Sequence, residues 1–241
     1  MSMLRAIPQL TGAARLPGLL GMFEGGKVRS VIKELADLER VQRTFVVGVT
    51  NLSTSRGGAF AYFPPQQRAA EAAFHAAEHA EPIHGANYVE AICASAALPP
   101  IYEPVPIFCK DGITRTFADG GFTNNAPFRQ AIDAGATDIT AIFVATPGSS
   151  GEAPAAGSMM DVMSIMLDAN TERMLELDLK LAHRINADVL NGSAPGKRHV
   201  TFRIIGPKKP LRLPTLGFDD QVEVNRLFDV GYDDGRAVRA A

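Results

Sequence analysis

Asp119 opens the stretch of this sequence whose residue types point most directly to chemistry. An acid followed by two glycines, Gly120 and Gly121, directly after a predicted strand indicates a turn at a sheet end, because glycine adopts backbone angles closed to other residues. Asn125 and Pro127 suit the start of the next helix, one as a cap and the other as a first-turn residue. We therefore expect the carboxylate at the C-terminal end of a strand, where open α/β sheets place their sites. On these residues alone, Asp119 also fits a turn aspartate that bonds its own backbone.

The elements that must position this turn alternate between strand and helix periodicity. Predicted strands cover residues 44–51, 59–63, 105–109, 113–117, 138–146 and 199–205, and predicted helices cover residues 27–40, 66–80, 88–98, 128–134, 161–190 and 221–239. The sequence therefore predicts an α/β fold in which a layered sheet carries helices on both faces.

Three local patterns make this prediction more specific. Arg56-Gly57-Gly58 indicates a turn between the first two strands, and Lys110-Asp111-Gly112 indicates a tight hairpin. The apolar run at residues 138–146 is typical of a strand buried on both faces of a parallel sheet.

Composition excludes several classes of function. The chain has 24 Lys and Arg against 26 Asp and Glu, a formal net charge of −2, which argues against binding nucleic acid through phosphate neutralisation. Its two cysteines cannot form a disulfide framework or a four-cysteine zinc site. His75 and His79 share a predicted helix without a third ligand, so no metal site is predicted. With no bilayer-length apolar run and no signal-peptide core, the sequence is compatible with a cytoplasmic or peripheral membrane location.

A second block lies upstream of Asp119. Residues 94–99 read A-S-A-A-L-P and are followed by Tyr102 and Pro104, while the segment from Asp119 to Pro127 matches D-G-G/A-x-x-x-N-x-P at every fixed position. Together the two blocks resemble the patatin-like phospholipase family. We expect a single domain of this family over residues 1–241, incomplete at its N-terminus, with the resemblance strongest over residues 40–150.

The resemblance implies hydrolysis of a carboxylic ester in a phospholipid or another acyl lipid, and so a role in lipid degradation. In the family, a serine in G-x-S-x-G attacks the ester carbonyl, and the aspartate of D-G-G/A, here Asp119, orients and activates it as a base. Backbone N–H groups of an N-terminal glycine-rich loop bind the oxyanion, and no cofactor is required. The expected partner is an acyl lipid or a membrane surface.

The nucleophile motif is missing from the 241 residues. Ser55 has only the second glycine, and Ser95 lies within a predicted helix. Ser149 and Ser150 have one residue too few between their glycines. The chain is therefore expected either to begin inside a patatin-like domain or to be a non-catalytic pseudo-lipase that serves as a binding or scaffold domain, and an unrelated fold is the third alternative. We predict that the chain alone does not hydrolyse esters.

Loss of the opening strands has a structural consequence. The strands predicted at residues 44–51 and 138–146 are expected to expose apolar faces and unpaired edges. We therefore predict association of the isolated chain through exposed sheet edges.

Overall fold

The computed structural model describes residues 26–78, 80–99, 101–124, 126–143, 159–207 and 221–239. The chain divides into two compact units, Met1–Gly135 and Ala136–Ala241, and each is described by itself. The expectation of one domain over the whole chain stays a prediction.

Alternating helices and strands build the first unit. In chain order they are α1 (Gly26–Leu35), β1 (Phe45–Asn51), β2 (Arg56–Tyr62), α2 (Glu71–Glu78), β3 (Glu81–Pro82), α3 (Tyr88–Ser95), β4 (Val105–Phe108), β5 (Thr114–Asp119) and α4 (Phe128–Asp133). Short 3₁₀ helices lie at Leu38–Arg40, Pro65–Ala70 and Gly120–Phe122. The predicted helices at residues 27–40 and 66–80 therefore each contain a 3₁₀ segment.

The five strands form one mixed sheet in the order β3-β2-β1-β5-β4. Only β2 and β3 run parallel, and the other pairs are antiparallel. Helix α3 packs on one face, where Ala91 and Ala94 join Phe60 and Phe117 in the core. Helix α2 packs on the other face through Phe74. The predicted α/β fold, with a layered sheet and helices on both faces, is confirmed.

Strand β1 is the centre of this sheet, but β5 does not cover all of it. Strand β2 pairs with β1 along Phe45–Asn51, whereas β5 pairs only with Val49, Thr50 and Asn51. Among the described residues, no strand partner follows the rest of β1 on that side. The unpaired edge predicted for this strand is thus limited to its first half.

The turn between β1 and β2 lies elsewhere than predicted. Gly57 and Gly58 belong to β2, opposite Thr50 and Val49, and the turn itself covers residues 52–55. A Cβ on Gly57 would lie 3.1 Å from Oγ1 of Thr123. These glycines therefore serve close packing within a strand, which is the other common reason for glycine in this setting.

The hairpin of β4 and β5 agrees with the prediction. Its turn contains Gly112 at φ 82°, the left-handed region that favours glycine. Asp111 accepts two hydrogen bonds from the guanidinium of Arg115, at 2.8 and 2.5 Å. The hairpin leads directly to the Asp-Gly-Gly turn.

The second unit contains α5 (Met159–Leu190), α6 (Gln221–Arg239) and a two-stranded parallel sheet of β6 (Asp138–Ile142) and β7 (Thr201–Ile205). Burial of β6 on both faces was predicted and is wrong for the described residues. Of its five residues only Ala141 is buried, and Ile142 is 77% exposed. Both faces of a parallel strand are buried only where helices pack on both sides of the sheet, and the partial or full exposure of four of the five β6 residues shows that the described helices do not cover this strand on both faces. Residues 144–146 of the predicted strand lie outside the described residues.

Candidate functional site

Asp119 is the last residue of β5 and lies opposite Val49 of β1. Phe117, two residues earlier, is buried in the core cluster that includes α3. Because side chains alternate between the faces of a strand, the side chain of Asp119 leaves the sheet on the same face as Phe117. The carboxylate therefore stands at a strand end on the α3 side of the sheet.

Three segments hold Asp119 by hydrogen bonds. Its N–H donates to the Ala97 carbonyl at 2.9 Å, and its own carbonyl accepts from Oγ1 of Thr50 at 2.7 Å. Its carboxylate oxygen Oδ1 accepts from the N–H of Gly121 at 2.7 Å. Within the part of the chain that the structure describes, no group donates to the other oxygen, Oδ2. The two carboxylate oxygens therefore differ, since a backbone N–H fixes Oδ1 and no described group fixes Oδ2.

Burial raises the pKa of the Asp119 carboxyl above its ordinary value, because a half-buried carboxylate loses hydration. The hydrogen bond from the Gly121 N–H acts in the opposite direction and lowers the pKa, but burial is the larger effect. No cation is among the causes of the shift. A carboxylate with a raised pKa is a stronger base than an exposed one, which suits a group that must accept a hydroxyl proton.

Gly120 follows Asp119 and lies against the backbone of β1. A Cβ at this position would be 2.5 Å from the carbonyl oxygen of Gly48 and 3.0 Å from the nitrogen of Val49. Real Cβ atoms do not approach backbone atoms so closely. Glycine at this position therefore allows the turn to contact the central strand directly.

The other predicted residues of the motif from Asp119 to Pro127 lie in and after the turn. Gly121 lies in the 3₁₀ helix Gly120–Phe122 and supplies the N–H that reaches Asp119. Pro127 immediately precedes α4 at φ −74°, rather than lying inside its first turn. Asn125, predicted as a cap, lies outside the described residues.

The upstream block, residues 94–99, is in direct contact with this turn. Ser95 is the last residue of α3 and Ala97 follows it, so the carbonyl that accepts the Asp119 N–H comes from the chain just beyond the helix. The two blocks that carry the family resemblance thus meet at Asp119.

A cavity of about 430 Å³ lies beside these residues. Its walls come from the first turn of α1, the C-terminal end of α3 with Ala97, and residues 102–106. Volumes of this order are typical of small-ligand pockets. Ala97, which bonds the Asp119 N–H, lines this cavity, whereas Asp119 itself does not.

The described serines lie away from the Asp119 carboxylate or do not bond it. Ser53 and Ser55 lie in the turn between β1 and β2, and the hydroxyl oxygen of Ser53 accepts from the N–H of Thr116 at 3.4 Å. Across the described ranges, no serine or threonine hydroxyl donates to the Asp119 carboxylate. Ser149 and Ser150 lie outside those ranges.

Two threonines near Asp119 escaped the sequence reasoning. Thr50 is 6% exposed, and its Oγ1 lies 3.0 Å from Oγ1 of Thr123 while it bonds Asp119. No motif spacing links residue 50 to residue 119, because their proximity comes from the pairing of β1 with β5. The sequence signal for Thr50 was its position near the end of the strand predicted at residues 44–51.

The histidines do not form a metal site within the described part of the chain, where no group of three potential ligands occurs. Nδ1 of His75 lies 2.9 Å from the carbonyl oxygen of Ala80, and its ring packs against Phe63 and Phe74. His79 lies outside the described residues.

The structure is an α/β layer whose interior strand β5 ends in an Asp-Gly-Gly turn. The segment just after α3 hydrogen-bonds this turn. A family model described as Patatin-like phospholipase matches residues 6–132. Because this match covers more than half of the 241 residues, the chain belongs to the patatin-like phospholipase family. The match begins well upstream of residue 40, where the motifs alone placed the start of the strong resemblance.

The family assignment identifies lipid acyl hydrolysis as the activity of the class to which this chain belongs. The search of curated proteins found no match. Among the described residues, none of the helices has the length and apolar character needed to cross a bilayer.

Proposed function

We propose that Asp119 is the base of a Ser–Asp dyad that hydrolyses the carboxylic ester of an acyl lipid. The observation that carries this proposal is the half-buried carboxylate with one oxygen fixed by the Gly121 N–H and no described donor on the other. The family assignment supplies the reaction class. The 241 residues contain no G-x-S-x-G motif, so the proposed dyad takes its serine from outside them.

The reaction balances on this one carboxylate. As the serine oxygen bonds to the ester carbonyl carbon, its proton passes to Oδ2 of Asp119 and the carbonyl electrons move to oxygen. Collapse of the adduct breaks the bond to the alcohol, which takes the proton from Asp119 and leaves an acyl-serine. Water then attacks in the same way, so that the fatty acid is released and the serine is restored.

The first test uses the purified chain with p-nitrophenyl octanoate. We expect no release of p-nitrophenol above the buffer rate, because a base without a nucleophile forms no acyl intermediate. Rapid turnover that is lost in Asp119→Asn would contradict the predicted inactivity of the chain alone.

The second test asks whether a serine completes the site. The coding sequence upstream of Met1 is read in the same frame, and any longer product that carries G-x-S-x-G is purified and assayed. Loss of Asp119 as Asp119→Asn should lower kcat/KM about 10²- to 10⁴-fold. Asp138→Asn is the matched control, because Asp138 is an exposed strand-end aspartate and its replacement should leave the rate unchanged. Full activity of Asp119→Asn would refute the proposed role.

A non-catalytic binding domain is the second candidate, and the missing G-x-S-x-G motif favours it. If upstream coding contains no nucleophile motif, binding to phosphatidylcholine vesicles becomes the expected activity. Co-sedimentation that is equal for the wild type and Asp119→Asn would support this alternative, and absence of sedimentation would refute it.

We also propose that the isolated chain self-associates. Strand β4 is at one edge of the sheet, and Phe108 at its end is 67% exposed. Among the described residues no strand pairs with the outer edge of β4, and such an edge with an exposed aromatic side chain favours strand-to-strand contact. A monodisperse monomer in light scattering at 100 μM, on the order of concentrations where such contacts form, would contradict this proposal.

A further inference from the structure

Thr50 hydrogen-bonds the carbonyl of Asp119 and lies outside both family motifs. It lies on β1 next to Val49, the strand partner of Asp119, and it is one of two buried polar residues in the described chain. Val49 belongs to the core cluster on the α3 side, so the side chain of Thr50 leaves the strand on the opposite face. From there its hydroxyl reaches the carbonyl of Asp119 at 2.7 Å.

The hydrogen-bond directions at Thr50 follow from counting protons. A hydroxyl donates once and can accept, and the single proton of Thr50 goes to the carbonyl of Asp119, which has no proton to give. In the 3.0 Å contact between the two hydroxyls, Thr123 must therefore be the donor. The result is a directed chain from Thr123 to Thr50 to the Asp119 carbonyl.

These two hydrogen bonds join the two ends of the turn that carries the Gly121 N–H. Thr123 follows the 3₁₀ helix Gly120–Phe122, and its N–H donates to the carbonyl of Gly120 at 3.1 Å. Its hydroxyl is also 3.5 Å from that carbonyl, a longer contact than the one to Thr50. The two hydroxyls thus fix the start and the end of the turn relative to β1.

We propose that Thr50 is a positioning residue for Asp119: its hydroxyl, supported by Thr123, holds the turn so that Gly121 donates to Oδ1 and leaves Oδ2 free. The inference rests on the proposed function, because the free oxygen matters only if Asp119 acts as a base. Thr50 itself touches no reacting atom and acts through the turn.

The experiment measures this geometry by NMR and does not use ester hydrolysis. In the uniformly labelled full chain, the Asp119 carboxyl carbon and the Gly121 amide proton are followed from pH 3 to pH 8. An amide that donates to a titrating carboxylate shifts with the same apparent pKa as the carboxyl, and the amplitude of that shift reports the hydrogen bond.

Thr50→Val removes the hydroxyl at nearly constant volume, and Thr50→Ser keeps it. Thr116→Val is the matched control on β5, since the Thr116 hydroxyl makes no hydrogen bond among the described residues. We expect Thr50→Val to reduce the pH-dependent shift of the Gly121 amide at least twofold. Thr50→Ser and Thr116→Val should retain the wild-type amplitude.

Two results would overturn the inference. The first is a wild-type amplitude in Thr50→Val, and the second is an equal loss in Thr50→Ser, which would assign the effect to packing by the methyl group. If Thr50→Val does not fold, Thr123→Val provides the same test on the outer hydroxyl. A smaller reduction of the Gly121 amide shift in Thr123→Val supports the proposed hydrogen-bond chain. An unchanged amplitude in Thr123→Val overturns it.

These outcomes are separate from those of the proposed function. A failed hydrolysis assay leaves the Gly121 amide shift unchanged, and a negative NMR result leaves the role of Asp119 as a base open to its own kinetic test.

Discussion

Replacing Gly120 by alanine is the most direct test of how the Asp-Gly-Gly turn is built. The added Cβ would lie 2.5 Å from the Gly48 carbonyl oxygen, 2.6 Å from the Gly48 carbonyl carbon and 3.0 Å from the Val49 nitrogen. All three are backbone atoms of β1, so no side-chain rotation relieves the contact. Ordinary contacts begin at 3.4 Å, so the turn and β1 must separate by about 0.9 Å.

A separation of that size also disturbs the hydrogen bonds around the turn. The bond from Thr50 to the Asp119 carbonyl, 2.7 Å in the wild type, would lengthen beyond hydrogen-bonding range if the turn moved directly away from β1. Overpacking costs about 1–3 kcal/mol, and a buried polar group without its partner costs about 1–3 kcal/mol more. We therefore expect Gly120→Ala to lower the free energy of unfolding by about 2–6 kcal/mol. At ~2–4 °C for each kcal/mol, the melting temperature should fall by roughly 4–24 °C.

The assay is urea and thermal unfolding followed by near-ultraviolet circular dichroism. The chain has no tryptophan, and three of its four tyrosines, Tyr62, Tyr88 and Tyr102, lie in the first unit, so this signal mainly reports the unit that contains the turn. Far-ultraviolet spectra before unfolding show whether the variant is folded at the start.

Gly48→Ala is the control from the opposite side of the same contact. A Cβ on Gly48 would have only the Asn124 carbonyl oxygen nearby, at 3.9 Å, which is an ordinary distance. Alanine in a strand is favoured over glycine by roughly 0.5–1 kcal/mol, so this variant should be as stable as the wild type or slightly more stable. The reasoning is refuted if Gly120→Ala loses less than about 1 kcal/mol, or if Gly48→Ala loses as much as Gly120→Ala.

Three further predictions concern charge and buried polar groups. Burial raises the pKa of Asp119, so the wild-type fold holds this proton more tightly than the unfolded chain and loses stability as pH rises from about 3.9 through the raised folded pKa. Asp119→Asn should therefore melt higher than the wild type at pH 7, with the difference vanishing below the unfolded pKa, and equal melting temperatures at pH 7 would contradict this. The paired guanidinium of Arg115 lowers the pKa of Asp111 to about 2, so carboxyl NMR should find Asp111 titrating near that value in the wild type and closer to about 3.9 in Arg115→Gln; an unchanged titration in the variant would rule out the pairing. Asn87 is buried and bonds two backbone groups, so Asn87→Ala should cost about 1–3 kcal/mol in urea unfolding, and a loss below about 0.5 kcal/mol would show that neither bond matters.

The position of Asp119 was accessible from sequence because its causes are local. The predicted strand ends at residue 117 and the observed strand at Asp119, and two glycines follow Asp119, so neighbouring residues specify the turn and locate the strand end to within two residues. The hairpin that leads to it was predictable for the same reason, since Asp111 and Gly112 define a tight turn by themselves.

A pair of glycines can form a turn or allow close packing within a strand, and a single sequence does not distinguish the two. Gly57 and Gly58 were predicted to form a turn, yet they lie within β2, where Gly57 faces Thr123 and Gly58 faces Val49. The distinction depends on a contact between residues 57 and 123, which are distant in sequence. The predicted burial of β6 failed for a related reason, because the helices that cover the two faces of a strand are set by the whole fold and not by the strand's own residues.

The two family blocks are joined by a backbone hydrogen bond and together hold the Asp119 turn. Ala97 lies just beyond α3, and its carbonyl holds the N–H of Asp119 on one side. Thr50 and the close contact at Gly120 hold the turn against β1 on the other side. A backbone fixed from both sides holds the Asp119 carboxylate in one place, although no described group donates to Oδ2. The close contact at Gly120 and the hydroxyl of Thr50 are therefore the two features whose replacement should move the turn away from β1.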